Sequence, residues 1–171
     1  MMATVFLGIG SNLGDREANI QKAMIFLREL EGTEVLSTSA LIETEPQGVS
    51  AACLPAGRQG NFLNGAIKIK TDLLPLELLS KLKMIERRLG RTKSLPNAPR
   101  PMDLDILFYD DVVIVEGKTL KIPHPRLANR EFVLKPLAEI APDFVHPRCH
   151  KTIQALLNEL SNESHPKLAS A

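Results

Sequence analysis

Residues 102–106, Met-Asp-Leu-Asp-Ile, alternate apolar and acidic side chains, which limits how this part of the chain can fold. Successive side chains of a β-strand point to opposite faces of a sheet, so a strand would bury the three apolar residues together. Asp103 and Asp105 would then share the other face. The sequence therefore predicts a one-sided strand with two convergent carboxylates.

Two neighbouring carboxylates repel each other and resist burial unless a cation lies between them. Mg²⁺ prefers oxygen ligands and binds one or two carboxylates together with water and phosphate oxygens. Asp103 and Asp105 are therefore candidate metal ligands. Asp-x-Asp is a weak pattern by itself, and an edge strand with a solvated acidic face is the alternative at this point.

Hydrophobic periodicity around this segment predicts an alternation of strands and helices. The predicted strands are 4–9, 35–44, about 63–70 and 102–106, with a short hairpin partner at 112–115. The predicted helices are 15–31, 75–89, 132–140 and 152–160. The order β-α-β-β-α-β favours an α+β, ferredoxin-like sandwich, with a mostly antiparallel sheet, helices on one face and extra C-terminal helices.

A chain of 171 residues suits a single domain, with a core at about 3–147, a C-terminal helix at about 151–161 and a disordered tail at about 162–171. The formal net charge is only +1, which argues against nucleic-acid or membrane-surface binding. A signal peptide and a long apolar span are both lacking, so we expect a cytoplasmic protein. We also expect a monomer. Its two cysteines predict no disulfide framework.

Two familiar nucleotide-binding motifs are missing from the sequence. No P-loop occurs, and Leu13 stands where the third glycine of a dinucleotide-binding motif would lie. His146, Cys149 and His150 are close together but have no obvious fourth zinc ligand, so a solvated loop is favoured over a zinc site.

Basic side chains flank the acidic strand on both sides. They are Arg91, Lys93, Arg100, His124 and Arg130. Arginine forks match phosphate oxygens, and cations around an aspartate pair are the parts of a metal–polyphosphate site. We therefore expect an enzyme that transfers a phosphate group.

Several segments share the motifs of one enzyme family, and they extend the match from about residue 4 to residue 147. They are residues 8–15, 43–48, 62–66, 85–91, 99–108 and 122–132. The sequence resembles the 6-hydroxymethyl-7,8-dihydropterin pyrophosphokinases of folate biosynthesis. The Asp103 segment followed by Pro-His-Pro is highly specific for that family.

The resemblance implies transfer of diphosphate from ATP to the hydroxymethyl group of 6-hydroxymethyl-7,8-dihydropterin, releasing AMP. It implies that Asp103 and Asp105 hold two Mg²⁺ ions that bridge ATP phosphates. The implied catalytic residues, in contact with the phosphates, are Arg91, Arg100, His124 and Arg130. The implied ATP site also includes Lys93, Ile106, Leu120 and Lys121. The implied pterin pocket comprises Thr44, Pro46, Gln47, Phe62, Asn64 and Phe132.

The sequence departs from the family pattern at three places. It has no tryptophan, although the family commonly places one before Pro99, and its loop from Arg91 to Arg100 is a residue short. Lys93 stands at what is often an arginine position. An insert at about 51–60 lengthens another loop, and a neutral insertion is expected there.

Two other functions fit the same fold class. A palm-type nucleotidyltransferase would share the aspartate pair but not the pterin-pocket residues. A ferredoxin-like RNA-binding or sensing module would be non-catalytic. An RNA reader should display aromatic residues on its sheet and a basic surface, whereas aromatic residues make up only 4% of this chain.

Overall fold

The structure is a computed structural model that describes residues 1–46, 60–92 and 98–164. Seven strands and four α-helices are present in these ranges, together with a short 3-10 helix at Leu127–Asn129. The strands are β1 (Ala3–Ser11), β2 (Thr33–Thr38), β3 (Ile42–Thr44), β4 (Phe62–Thr71), β5 (Asp103–Tyr109), β6 (Ile114–Glu116) and β7 (Leu120–Ile122). The helices are α1 (Arg16–Arg28), α2 (Pro75–Arg88), α3 (Glu131–Ile140) and α4 (Ile153–Ser164).

Five strands form one sheet in the order β2-β4-β1-β5, and β3 also pairs with β4. Every pairing in this sheet is antiparallel. Since β2 and β3 together take the place of one strand, the connectivity is βαββαβ with the strand order of a ferredoxin-like fold. The predicted fold class is confirmed.

Helix α2 spans nearly the predicted range, whereas α1 begins as predicted but ends at Arg28, three residues before the predicted end. Asp15 caps α1, because its carboxylate accepts a hydrogen bond from the backbone N–H of Ala18. Pro75 occupies the first turn of α2. Gly32 and Gly90 follow the two helices with φ values of +70° and +93°, a conformation that glycine adopts without a steric penalty.

The two faces of the sheet carry separate hydrophobic clusters. Helices α1 and α2 cover one face, whose core includes Val5, Leu7, Ile9, Ile20, Leu27, Ile67, Ile69, Leu78, Leu82 and Leu104. Helices α3 and α4 cover part of the other, with Phe6, Ala66, Phe108, Leu134, Leu137, Ile153 and Leu156. Each of the larger side chains, valine, leucine, isoleucine or phenylalanine, stabilises the fold by roughly 1.5–3 kcal/mol when fully buried. The helices on the second face leave one end of the sheet open for a site.

Strand β5 has the predicted alternation. Met102, Leu104 and Ile106 are buried in the cluster under α1 and α2, whereas Asp103 and Asp105 are only partly buried. The pairing with β1 shifts register between Phe6 and Leu7, as in a β-bulge. The carboxylates therefore lie on the face opposite α1 and α2, beside α3.

The predicted single strand at 35–44 is wrong. The chain leaves the sheet after Thr38 and returns at Ile42, and both pieces pair with β4. The backbone N–H of Ala40 instead donates to the carboxylate of Glu139 on α3, at 3.0 Å. A long-range side-chain acceptor thus replaces a strand partner, which a local hydrophobic pattern does not reveal.

Two smaller predictions also need correction. The hairpin partner predicted at 112–115 is instead Ile114–Glu116, which pairs with the unpredicted strand Leu120–Ile122 in a separate two-stranded sheet. The tail predicted at about 162–171 begins later, because α4 extends to Ser164. Residues 165–171 lie outside the described residues.

The His146 loop is not simply solvated. His146 is 8% exposed, and its Nδ1 accepts hydrogen bonds from the backbone N–H groups of Arg148 and Cys149. Its ring packs edge-on against Phe108. In the described ranges, no helix has the length and hydrophobicity needed to cross a membrane.

Candidate active site

A cavity of about 240 Å³ opens on the sheet face that α3 only partly covers. Gly8 and Gly10 of β1 form its floor, between β4 and β5. Gly8 pairs with Asp105, while Gly10 lies between Asp103 on β5 and Asn64 on β4. The antiparallel register therefore places β5, with its two aspartates, and β4, with Asn64, on either side of Gly8 and Gly10.

Gly10 leaves the space that Asn64 fills. A Cβ at position 10 would lie 2.8 Å from Oδ1 of Asn64, closer than such atoms approach in proteins. Any larger residue would push the amide out of place. Glycine is required here by close packing, since the backbone conformation of Gly10 is that of an ordinary strand.

Asp103 is surrounded by arginines. Its Oδ1 lies 2.8 Å from Nη1 of Arg91, and its Oδ2 lies 3.4 Å from Nη1 of Arg100. Burial opposes protonation of Arg91, but the carboxylates of Asp103 and Glu86 outweigh it and raise the pKa of the guanidinium. The phosphate-binding arginines predicted from the sequence therefore lie against a predicted metal ligand.

Asp105 has a different environment. Burial, followed by repulsion from Asp103, raises its pKa to about 6, although Lys83 and Arg91 oppose the shift. Within the described ranges, Asp105 forms no ion pair closer than 4 Å. Its ionised form therefore needs a further positive charge in the cavity.

These two carboxylates fit the donor set of Mg²⁺. The described residues contain no group of three or more histidine, cysteine or acidic side chains placed to hold a metal. Mg²⁺ commonly binds one or two carboxylates and completes its shell with water and phosphate oxygens. Asp103 and Asp105 are therefore suited to a metal that arrives with a nucleotide.

Asn12 holds the backbone of Arg100 in place through two hydrogen bonds. Its Oδ1 accepts a hydrogen bond from the backbone N–H of Arg100 at 2.8 Å, and its own backbone N–H donates to the Arg100 carbonyl. Ser11 donates from its hydroxyl to the carbonyl of Pro101. These contacts hold Arg100 beside Asp103.

His124, Arg126 and Arg130 extend the basic wall of the cavity. The Nδ1 atom of His124 accepts a hydrogen bond from the backbone N–H of Arg126 at 3.3 Å. Burial, with help from Arg130 and Arg126, lowers the pKa of His124 to about 4. A neutral His124 whose Nδ1 accepts a bond carries its proton on Nε2 and is a hydrogen-bond donor.

We expect the imidazole resonances of His124 to titrate near pH 4 in the ligand-free protein, because burial and two arginines disfavour its charged form. An NMR pH titration would measure this, with His124→Asn used to assign the signals. A midpoint near 6.5, the ordinary histidine value, would contradict it.

The end of the cavity formed by β3 and β4 carries Glu45 but otherwise uncharged side chains. Thr44, Pro46, Phe62, Asn64 and Phe132 all line the cavity, as the sequence predicts for one pocket. The Nδ2 atom of Asn64 donates to Oγ1 of Thr44 at 2.6 Å, which fixes the orientation of the amide. The guanidinium carbon of Arg130 lies 5.4 Å from the centre of the Phe132 ring and joins the basic wall to the aromatic end.

Not every predicted site residue lies on this cavity. Ile106 and Leu120 are each 4% exposed and belong to the core under α1 and α2, and Lys121 is exposed elsewhere on β7. Their predicted contact with the nucleoside is therefore not supported by their position. Gln47 and Lys93 lie outside the described residues, as does most of the 51–60 insert.

Lys83 and Glu86 of α2 were not predicted as site residues. Lys83 lines the cavity and donates from Nζ to Glu86 at 2.8 Å. Glu86 is 2% exposed beneath it. The sequence did hold a signal, because Glu86 follows Leu78 and Leu82 at four-residue spacing and so falls on the buried face of the helix.

Comparison with known proteins gives a family match over most of the chain. Residues 6–142 match the family model described as 7,8-dihydro-6-hydroxymethylpterin-pyrophosphokinase, or HPPK. The chain is 45% identical over 153 residues to the 2-amino-4-hydroxy-6-hydroxymethyldihydropteridine pyrophosphokinase of Aquifex aeolicus. The aligned region covers 90% of this chain and 89% of that protein. The Bacillus subtilis protein of the same name is 42% identical over 135 residues, or 79% of this chain and 76% of that protein.

Other similar proteins are much longer. The Schizosaccharomyces pombe folic acid synthesis protein fol1 is 42% identical over 158 residues, or 92% of this chain, but the chain spans only 20% of it. A solved HPPK-DHPS chain in complex with substrates has a TM-score of 0.74 at 16% identity, covering 98% of this chain and 45% of that one. The Plasmodium falciparum HPPK-DHPS with pteroate has a TM-score of 0.74 at 19% identity, over 97% and 44%. At these identities the structural matches establish a shared fold.

Proposed function

Since the chain belongs to the 7,8-dihydro-6-hydroxymethylpterin-pyrophosphokinase family, we propose that it transfers diphosphate from ATP to 6-hydroxymethyl-7,8-dihydropterin. The products are AMP and the pterin diphosphate, a step of folate biosynthesis. The supporting observation is a single cavity that holds an aspartate pair among cations at one end and aromatic and amide side chains at the other.

The aspartate end suits the polyphosphate. Asp103 and Asp105 would hold two Mg²⁺ ions, which make the β-phosphorus of ATP more electrophilic and neutralise charge on its oxygens. Arg91, Arg100 and Arg130 provide planar donors for phosphate oxygens. These arginines already line the cavity beside Asp103, so a triphosphate would meet cationic donors that the fold has brought together.

The other end suits a flat heterocycle. Phe62 and Phe132 offer aromatic faces for stacking, and Asn64 offers both a donor and an acceptor to a ring edge. The bond from Asn64 to Thr44 leaves one amide N–H and the carbonyl for a ligand. A pterin bound there would place its hydroxymethyl group towards the polyphosphate.

In the proposed step, the hydroxymethyl oxygen attacks the β-phosphorus in line with the leaving AMP oxygen. The bond between the AMP oxygen and the β-phosphorus breaks, and the proton of the attacking hydroxyl group passes to solvent. His124 is a poor general base, since its Nδ1 already accepts a hydrogen bond and its Nε2 carries a proton. Alignment and charge neutralisation are the contributions of the protein.

The chain has no tryptophan to close over the pterin, so another residue would have to do so. Leu95 and Asn97 stand in the segment that would replace it, but they lie outside the described residues. Lys93 in the same segment would provide a point charge to phosphate in place of a bidentate arginine. A monomeric state and a cytoplasmic location stay predictions.

We expect the purified chain with ATP, Mg²⁺ and 6-hydroxymethyl-7,8-dihydropterin to release AMP and the pterin diphosphate in equal amounts. Liquid chromatography of both products would measure this, with EDTA as the control that should stop the reaction. Release of ADP or inorganic phosphate in place of AMP would contradict the proposed function, because attack would then fall on the γ-phosphorus.

A further inference from the structure

Glu86 is a buried carboxylate with three partners around the metal-binding strand. Its Oε1 accepts hydrogen bonds from the backbone N–H of Leu104 and from Nζ of Lys83, both at 2.8 Å. Its Oε2 lies 2.6 Å from Nη1 of Arg91. Leu104 stands between Asp103 and Asp105, so Glu86 is bonded both to the backbone of the acidic strand and to an arginine of the site.

The burial of Glu86 is not explained by stability alone. A buried carboxylate is costly to desolvate, and a well-packed apolar residue often serves a fold equally well. Glu86 follows Leu78 and Leu82 on the same helix face, where a further apolar residue would extend the core. Its side chain is only 2% exposed, so it has little surface for a substrate.

Arg91 connects Glu86 with the metal-binding pair. The same Nη1 atom lies 2.6 Å from Glu86 and 2.8 Å from Asp103. Mg²⁺ is bound through carboxylate oxygens, so a metal at Asp103 would compete with Arg91 for Oδ1. A second carboxylate, that of Glu86 at 2.6 Å, would hold an arginine that Asp103 releases.

We propose that Glu86 is a positioning residue that keeps Arg91 in the site when a metal–nucleotide complex takes Asp103. This inference rests on the proposed function and assigns a role to a residue that does not touch the substrate. Arg91 changes partners from Asp103 to a phosphate oxygen, while its bond to Glu86 stays in place. The bond from Leu104 to Glu86 holds the strand between the two aspartates fixed meanwhile.

A double-mutant cycle between Glu86 and Arg91 tests this role. Calorimetry would measure affinity for the Mg²⁺ complex of a non-hydrolysable ATP analogue in the wild type, Glu86→Gln, Arg91→Met and the double variant, and AMP formation would be measured beside it. Glutamine still accepts from Leu104 but lacks the charge that holds Arg91. We expect Glu86→Gln to weaken binding by about ten- to a hundredfold, but by less than about twofold when Arg91 is already methionine.

Glu159→Gln is the matched control. It removes a carboxylate of α4 that forms an exposed ion pair with Lys151, with N and O atoms 2.9 Å apart. It should leave both measurements unchanged. An equal loss from Glu86→Gln in both backgrounds would indicate a structural role and overturn the inference, as would wild-type behaviour. If the wild type binds the analogue but forms no AMP, the proposed function fails while the cycle still decides the role of Glu86.

A crystal structure of the wild-type protein with the same Mg²⁺ complex gives a test that needs no variant to fold. We expect the Arg91–Glu86 contact to persist within about 3.2 Å and the Arg91–Asp103 contact to be lost. Separation of Arg91 from Glu86 in that complex would overturn the inference.

Discussion

Replacing Asp105 with asparagine is expected to abolish AMP formation and, at the same time, to stabilise the metal-free protein. Asparagine has nearly the same shape but carries no charge for a metal ion. Metal ions and fixed cations contribute several kcal/mol of charge stabilisation in such sites. We expect turnover to fall by at least about 10³-fold, equivalent to about 4 kcal/mol.

The gain in stability follows from the raised pKa of Asp105, which is about 6 in the folded protein against an ordinary value of 3.8. A carboxyl group whose pKa is raised by folding supports the fold while it is protonated. That contribution is complete below about pH 4 and is lost as the pH rises through 6. Each pKa unit corresponds to about 1.36 kcal/mol, so Asp105→Asn should gain about 1–3 kcal/mol at pH 7.

Thermal unfolding of both proteins in EDTA, from pH 4 to pH 7.5, would measure this effect. The variant should melt several degrees higher at pH 7, and the difference should narrow towards pH 4. Adding Mg²⁺ and ATP should raise the melting temperature of the wild type alone. A variant that is less stable than the wild type at pH 7 would show that Asp105 supports the fold without a metal.

The alternation of side chains between the two faces of the sheet at residues 102–106 was predictable, because it depends on local geometry alone. A period of two fixes which side chains share a face, whatever the rest of the chain does. The helices bounded by Asp15, Gly32, Pro75 and Gly90 were predictable for the same reason, since capping and breaking are local. The resemblance then gathered residues from β3, β4 and α3 that local patterns do not connect, and the cavity contains most of them.

Other features depend on contacts between distant segments. The break at Ala40 requires Glu139, which is 99 residues away. Ile106 and Leu120, which the resemblance assigns to the nucleotide, are buried in the core of this chain, and their contact with ATP stays a prediction. Glu86 was missed although its spacing showed that it is buried, since its role depends on Arg91 and on the backbone of Leu104.

If the proposed pterin site is right, Asn64→Leu is expected to lower kcat/KM for the pterin by about 10²–10³-fold. Leucine has a similar size but offers no hydrogen bond, so two polar groups of a bound pterin would be buried unpaired, at about 1–3 kcal/mol each. The affinity for Mg²⁺ and an ATP analogue should not change, because the basic residues lie at the other end of the cavity. Steady-state kinetics with each substrate varied in turn would measure both effects.

Thr44→Val is the matched variant, because it removes the hydroxyl that accepts from Asn64 at 2.6 Å and leaves the amide itself in place. If Thr44 only orients Asn64, its loss should cost about tenfold, less than the loss of the amide. Equal losses in the two variants would mean that Thr44 binds the pterin directly. If Asn64→Leu instead weakened ATP-analogue binding and spared the pterin, the heterocycle would have to bind elsewhere. The small size of Gly10 would then serve only the packing of Asn64.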